Sequence, residues 1–436
     1  MPSTTQILPG PITAVLESSS DEQEKYRVLH VLDHSMPLLS GYSVRSHSLI
    51  TAQRHIGLSP EVVTGPLHNV EDSGASDTFI DGIRYYRTAL PPGLQKRFIE
   101  GRVPVLREMS VVRLLRKRIL QILDGQPFDV IHAHSPALCG LAASQAARAR
   151  NLPFVYEIRA FWEDAAVDQE KTKVWSPRYQ VSRQLEGYVA RHADAVVGIA
   201  KHILHDMQER GIGRDKLFHV PNGVNAGRFN ALPRDAQLAA QLGLNEEPVL
   251  GFIGSLYRYE GIAWMVRAAA NLIRDGVSFQ ILVVGQGEDL KDVQAAIREL
   301  GMQDRFKSVG QVPHDQVQRY YSLMDVMVYP RRSIRLTELT TPLKPLEAMA
   351  QAKAVLASDV GGIRELVEPQ VPCFLFKADD AEDFCTKARE LISDSRLRHD
   401  LGEKGRQMIL QEKDWNILAQ RYKQVYSSAQ KRLRSK

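Results

Sequence analysis

Short runs of consecutive apolar residues alternate along the chain with longer stretches in which apolar positions recur every three or four residues. The first pattern suits strands buried on both faces and the second suits helices with one buried face, so the alternation predicts parallel sheets built from βαβ units. In the first half the predicted strands are 27–33, 60–65, 129–134, 154–159, 195–200 and 217–222. In the second half they are 249–255, 279–285, 325–330, 354–358 and 373–378. The stretch 221–237 between the halves is rich in Asn, Gly and Pro, which marks a linker. The expected organisation is a disordered lead-in over 1–25, an α/β domain over 26–220, a second over 221–412, and a terminal segment 413–436 whose helix crosses back onto the first domain. Two doubly wound sheets on a short linker leave a cleft between them. Ligands of such sheets bind outside the carboxyl ends of the strands, so the loops there are where chemistry is sought.

Composition supports this picture and narrows it. The chain has 436 residues, too many for one ordinary core, with 44% hydrophobic and 25% charged residues. No apolar run approaches the roughly 18 residues of a membrane span, and the first 25 residues lack the charged-then-apolar order of a secretory signal, so the sequence reads as cytoplasmic. Cys139, Cys373 and Cys385 are far apart and form no CxxC, which argues against a disulfide framework or a zinc cluster. A net charge of +5 does not by itself suggest nucleic acid. The run 96–118 carries eight cations against Glu100 and Glu108, interleaved with apolar residues. It reads either as a peripheral contact with an anionic membrane or as a solvated helix whose Leu114, Leu115, Ile119 and Leu120 face the core.

The candidate chemistry sits on the predicted strand-end loops. Pro342 and Pro345 place a helix start near Pro345, and Lys344 there opposes the helix dipole unless an anion lies between them. Arg331, Arg332 and Arg335 share that loop, and the four cations suit a diphosphate, with Glu347 one turn on placed for ribose hydroxyls. The plainer alternative is an ion pair of Lys344 with Glu347. Gly254, followed by Arg258, and the pair Gly361–Gly362 end further strands of the second domain. Gly285 and Gly287 form a GxG without dinucleotide spacing, which argues against a nicotinamide-dependent oxidoreductase. In the first domain, Gly41 and Tyr42 follow the first strand. Of His132 and His134, only the strand-end His134 is expected to reach the cleft. Arg159 and Trp162 follow the next strand as acceptor contacts, unless Arg159 is locked to Glu163 or Asp164. Asp-x-Asp occurs nowhere, so no carboxylate pair is expected to hold a divalent ion against a diphosphate, and neutralisation falls to Arg258, Lys344 and Arg332.

Three stretches, "VPNGVNAGRF", "GQVPHDQVQRYYSLMDVMVYP" and "LEAMAQAKAVLASDVGGIRELV", resemble the family-4 retaining glycosyltransferases of the GT-B fold. The run "YPRRSIRLTELTTPLKPLEAMA" is similar to a branch associated with exopolysaccharide and exosortase gene clusters. The resemblance implies two Rossmann-like domains facing a central cleft and a metal-independent transfer of a sugar from a nucleotide diphosphate to a saccharide or lipid-linked acceptor. It assigns ribose binding to Glu347, the donor sugar to His134 and the diphosphate loop to Gly41. The slots usually held by an arginine and a lysine after the first glycine of the second domain hold Ser255 and Glu260, for which Arg258 and Lys344 substitute. The slot of a sugar-binding glutamate holds Leu339, with Glu338 beside it. A nucleotide-sugar epimerase and a non-catalytic nucleotide-sugar-binding protein are the alternatives.

Overall fold

The computed structural model describes residues 26–436 apart from 39, 69–76, 91–103, 169–170, 314–315 and 368–372. The lead-in 1–25 and the part of the basic run before Pro104 lie outside the described residues. The first domain runs β1 (Arg27–Leu32), α1 (Gly41–His55), β2 (Ser59–Thr64), β3 (Thr78–Ile80), β4 (Ile83–Tyr86), α2 (Pro104–Gly125), β5 (Val130–His134), α3 (Ala137–Arg150) and β6 (Phe154–Ile158). It continues with α4 (Trp162–Asp168), α5 (Pro177–His192), β7 (Ala195–Gly198), α6 (Lys201–Glu209) and β8 (Leu217–His219). The second runs α7 (Ala236–Leu242), β9 (Val249–Ile253), α8 (Ile262–Arg274), β10 (Gln280–Val284), α9 (Leu290–Glu299), β11 (Phe306–Gly310), α10 (Val317–Ser322) and β12 (Val326–Tyr329). Then come α11 (Arg335–Leu339), α12 (Lys344–Ala350), β13 (Ala354–Ser358), α13 (Gly361–Val367), β14 (Phe374–Phe376), α14 (Ala381–Ser393), α15 (Ser395–Met408) and α16 (Trp415–Arg434).

The two sheets have orders β3-β4-β2-β1-β5-β6-β7-β8 and β11-β10-β9-β12-β13-β14. Pairing is parallel everywhere except between β3 and β4. Strand order reverses between β1 and β5 in one sheet and between β9 and β12 in the other. These are the places where the loops at the carboxyl ends diverge and leave a crevice.

Side-chain alternation sorts the first sheet's residues onto two faces. Leu29, Val31, Ile131, Ala133, Tyr156 and Ile158 pack with α2, α3 and α5, while Val28, Val130 and Val155 pack with α1 and α16. Trp415, Leu418, Ala419, Tyr422, Val425, Tyr426 and Ala429 are the α16 side of that second core. The terminal helix thus belongs to the first domain by packing, although it follows the second in sequence.

The chain crosses between domains at 220–226 and again at 413–415, and the two crossings are pinned together. Val224 donates to the Lys413 carbonyl at 2.9 Å, Trp415 donates to the Val224 carbonyl at 3.1 Å, and Asp414 accepts from the Ala226 N–H at 3.0 Å. Elsewhere α11 and α13 dock on the first domain. Arg335 donates to Asp164 at 2.9 Å and to Asp206 at 2.7 Å, and Glu365 accepts from the Lys201 N–H and from His202 and lies 3.2 Å from His219.

Because Leu418 is fully buried in the face that α16 shares with the sheet, Leu418→Ala is expected to cost about 2–5 kcal/mol. Urea unfolding followed by a first-domain probe measures it, and a first-domain transition that does not move would contradict the packing.

Candidate active site

The β9/β12 switch point is bridged by one side chain. Lys344, first residue of α12, lies across the turn after β9, where its Nζ donates to the Ser255 carbonyl at 3.4 Å and to Glu260 Oε1 at 2.7 Å. Its ammonium also stands 4.7 Å from the centre of the Phe252 ring. Gly254 makes this possible: its φ is +143°, and a Cβ there would overlap the Lys344 stem. Since α12 is only seven residues long, the lysine rather than the helix end supplies the positive charge.

Glu260 is buried, and burial alone would push its carboxyl up. Lys344 and Arg331 outweigh that effect and hold it below the usual carboxylate range. Burial in turn lowers Lys344, with Glu260 opposing the shift. Arg331 stands 3.8 Å from Glu260 and donates to the Thr340 carbonyl at 3.1 Å. One carboxylate therefore faces two cations. Glu347, three residues past Lys344, has its carboxyl raised to about 7 by burial, with Lys344 and Tyr321 working against the rise. The Tyr321 hydroxyl reaches it at 3.4 Å.

The other two cations of the expected cluster go elsewhere. Arg332 pairs with Asp379 at the start of the β14–α14 connection, and Arg335 spans to the first domain. Without a ligand, Arg332 is thus paired with an acidic neighbour on its own side of the loop. Arg258 sits on the exposed side of the 258–260 turn, its charge close enough to Asp289 to oppose the rise that burial imposes there. Glu338 is committed locally, accepting from the Gly361 N–H at 2.7 Å and from Ser333 at 2.8 Å. Gly361 and Gly362 are small because α13 starts directly against the α11 backbone, where a Cβ would overlap the carbonyls of Glu338 and Thr340. Leu339 packs on the first domain's core. Leu339 is thus an apolar contact between the domains, and Glu338 caps the start of α13.

In the first domain the expected contacts are replaced by a buried network. Residues two apart on a strand share a face, so His132 and His134 point the same way, with stacked rings 4.2 Å apart. His30, His132, His134 and Glu157 are fully buried and Arg159 nearly so. All five have the alternation of the face under α1 and α16. The expectation that His134 alone turns to the cleft is corrected accordingly.

The guanidinium of Arg159 can only donate, and this fixes the protons around it. Arg159 donates to His134 Nδ1 at 2.7 Å, so the His134 proton is on Nε2, which donates to His30 Nδ1 at 2.9 Å. His30 then donates from Nε2 to Gln53 at 2.8 Å, and the Gln53 amide donates to the Tyr426 hydroxyl at 2.8 Å. Tyr426 meets His132 Nδ1 at 3.0 Å, and His132 Nε2 faces Glu157 at 3.5 Å. The three imidazoles lie close enough to hold a metal ion together, but the lone pairs on His134 Nδ1 and His30 Nδ1 are already accepting. Burial and the neighbouring Arg159 keep His134 well below its ordinary value. It is a neutral link in a chain, with no nitrogen free for a sugar.

Glu157 closes the network. Arg45 donates to it at 2.5 Å, Arg159 at 3.0 Å, and Tyr422 of α16 also donates. Burial would raise its carboxyl, yet the arginines hold it well below the usual range. Arg159 spends its other donors on the Tyr42 carbonyl at 3.2 Å and on Ser46 at 2.6 Å, so its expected role as an acceptor contact is also corrected. The partner that locks it is Glu157, not Glu163 or Asp164. Gly41 is the exposed first residue of α1, behind the N-cap Ser40, and the Tyr42 ring lies under Arg159. Trp162 opens α4 and is 42% exposed beside a cavity of about 250 Å³ lined also by Arg178 and Tyr179.

One further link was not visible in the sequence. Arg45 Nε donates to Asn222 Oδ1 at 2.6 Å, and the Asn222 amide donates to the Thr341 carbonyl at 2.7 Å, three residues before Lys344. The linker asparagine thereby joins the Glu157 network to the loop that carries the candidate cation.

Two family models match, one per domain. "Glycosyl transferase 4-like domain" covers residues 40–223, and "Glycosyl transferases group 1" covers 235–408. Among known relatives, the 2-deoxystreptamine glucosyltransferase of Streptomyces kanamyceticus is 27% identical over 274 residues, 62% of this chain and 69% of its own. The alpha-maltose-1-phosphate synthase of Mycolicibacterium smegmatis is 26% identical over 348 residues, 74% of this chain and 85% of its own. Among solved structures, a sucrose-phosphate synthase from Thermosynechococcus elongatus superposes with a TM-score of 0.72 at 20% identity, covering 92% of this chain and 98% of that one. The HepE protein of Anabaena, solved in complex with UDP-glucose, gives 0.69 at 18% identity over 92% of this chain and 100% of its own. With both sheets matched by their respective models and the twin-sheet architecture shared, the chain is a glycosyltransferase of the GT-B fold and of the family-4 type.

Proposed function

We propose that the protein moves a sugar from a nucleoside-diphosphate donor, with retention at the anomeric carbon and without a divalent metal, to a saccharide or lipid-linked acceptor in the synthesis of an exopolysaccharide or related glycan. The observation that carries this reading is Lys344 lying over Gly254 at the β9/β12 switch point, held as an ammonium by Glu260. Fixed positive charge at that place suits a departing diphosphate, and such preorganised stabilisation is usually the largest catalytic contribution. The resident carboxylates near it, Glu260 and Glu347, are separately engaged with cations and a tyrosine. That is the arrangement of a site neutralised by side chains, and the missing Asp-x-Asp agrees with it. The HepE protein of the same fold is described with UDP-glucose, and the relatives named above are described as a glucosyltransferase and a sugar-phosphate synthase.

In the step we envisage, the acceptor hydroxyl attacks the anomeric carbon on the face from which the phosphate oxygen departs. Its proton passes to that phosphate, and Lys344 stabilises the charge left on the diphosphate. No enzymatic nucleophile is assigned. Glu347 accepts from the donor's ribose, and the first domain presents the acceptor.

Lys344→Met is expected to lower kcat/KM by roughly 100- to 1000-fold and also to destabilise the fold, because it strands buried Glu260. Adding Glu260→Gln should restore the melting temperature but not turnover, as read by calorimetry and by release of nucleoside diphosphate. Turnover that survives in the double variant would remove Lys344 from the mechanism. Incubation with donor alone separates transfer from epimerisation, since only an epimerase converts it without acceptor.

Glu347 gives a pH test. Its folded-state value of about 7 is above that of the unfolded chain, which therefore releases its proton first as pH rises. The resulting penalty on folding is absent below about pH 4 and complete above about pH 7. Glu347→Gln should accordingly gain up to about 3 kcal/mol of stability near pH 8 and none near pH 4. The donor KM should fall as pH rises through about 7 in the parent, be about tenfold higher in the variant, and lose that dependence. A variant that binds donor as the parent does would displace Glu347 from the ribose.

A further inference from the structure

Exposed large apolar side chains are unevenly spread over this protein. Of the sixteen among the described residues, six fall on the starts of two helices that flank α3: Val105, Leu106 and Met109 on α2, and Val174, Trp175 and Val181 around the N-terminus of α5. Trp175 is 87% exposed, the most of any of them, and Met109 and Val105 are each 64% exposed. A tryptophan set this far out makes few contacts with its own fold, so folding does not explain its position.

The two helices belong to one layer. Leu115, Ile119 and Ile122 of α2, Ala142, Ala143, Ala146 and Ala147 of α3, and Val189 and Ala190 of α5 all pack into the same core. Since α2 leads into β5 and α5 leads into β7, both helices begin at the end of the sheet where the strands finish. The exposed apolar turns therefore sit on the cleft's rim.

The charge around them is mainly positive. Arg107, Arg113 and Lys117 of α2, together with Lys173 and Arg178 beside Trp175, are exposed. Among the described acidic residues of α2 and α5, Asp124 is paired with Arg150 at 2.6 Å and Glu186 is buried, its carboxyl pushed up to about 8 by burial. Glu108 alone remains to oppose the cations.

We propose that this rim of α2 and α5 rests on an anionic bilayer, with Trp175 and the first turn of α2 entering the headgroup region. Tryptophan prefers that depth, where its ring is in apolar surroundings and its N–H stays wet, and basic residues near the surface add attraction to acidic lipids. The surface extends beyond the basic run noted in the sequence, because half of it is supplied by the segment before α5. It turns the cleft's rim towards the membrane, which fits the lipid-linked form of acceptor, and for that consequence it rests on the transfer reading above.

Co-sedimentation with phosphatidylglycerol vesicles and with phosphatidylcholine vesicles tests the proposal on the full chain. Binding is expected to the first alone and to weaken as salt rises. Lys173→Glu with Arg107→Glu should reduce it more than about tenfold, and Trp175→Ser by about tenfold, with melting temperatures unchanged. Tryptophan emission should shift to the blue on phosphatidylglycerol in the parent and lose most of that shift in Trp175→Phe. Equal binding to both vesicles, no binding, or binding untouched by these variants would overturn it. Turnover of a nucleotide sugar onto a water-soluble acceptor should be the same in all of them. Its absence alongside vesicle binding would defeat the transfer reading instead, and its presence without vesicle binding would defeat only the membrane face.

Discussion

A carboxylate taken fully out of water is tolerable only if its partners repay the lost hydration, and Glu157 sets that condition at the centre of the first domain. Two arginines, a tyrosine and two histidines surround it, contributed by α1, β5, the end of β6 and the terminal helix. None of these elements can shift without leaving a buried charge short of a partner. The same arginine that binds Glu157 reaches the linker asparagine, which holds the loop before α12. Distant parts of the chain are thus referred to one another through a single ionised group, and the crevice inherits its geometry from it.

The second domain solves a different electrostatic problem. Its crevice must stay positive before a ligand arrives, yet an isolated buried ammonium would lose its proton. Glu260 answers the second need without cancelling the first, because Arg331 stands on its other side. Charge is concentrated at the strand ends, and the surplus cations of the same loop are spent on Asp379, Asp164 and Asp206. Those pairs tie α11 to its own domain's edge and to the facing domain, so the loop sequence serves shape as much as recognition.

The twin parallel sheets were legible because most of their strands are buried on both faces and therefore read as unbroken apolar runs. β11, an edge strand with Lys307 and Ser308, carries no such run, and β3 and β4 are too short to show one, although Asp81-Gly82 between them is a strong two-residue hairpin signal. Lys344 at a helix start and Gly254 after a strand could be read from proline and glycine placement. The directions of Arg332 and Arg335 could not, because the acids that capture them lie far off in sequence. His134 shows the other limit. It does end its strand, but its side chain lies on the covered face, and the spacing of His132 with His134 and of Glu157 with Arg159 puts all four on one side of the sheet. What covers that side is a helix more than 250 residues further along, visible only in the fold.

That helix has a bearing on biogenesis. While the ribosome is still making the second domain, the first domain's sheet has one face lined by Val28, Val130 and Val155 and nothing from 415–434 to lay over it. Glu157 and the imidazoles beneath would be hydrated in that nascent state. The earliest-made half of the protein therefore reaches its final form last, and a chain arrested before Trp415 would present to chaperones and proteases an apolar surface that the finished molecule never shows.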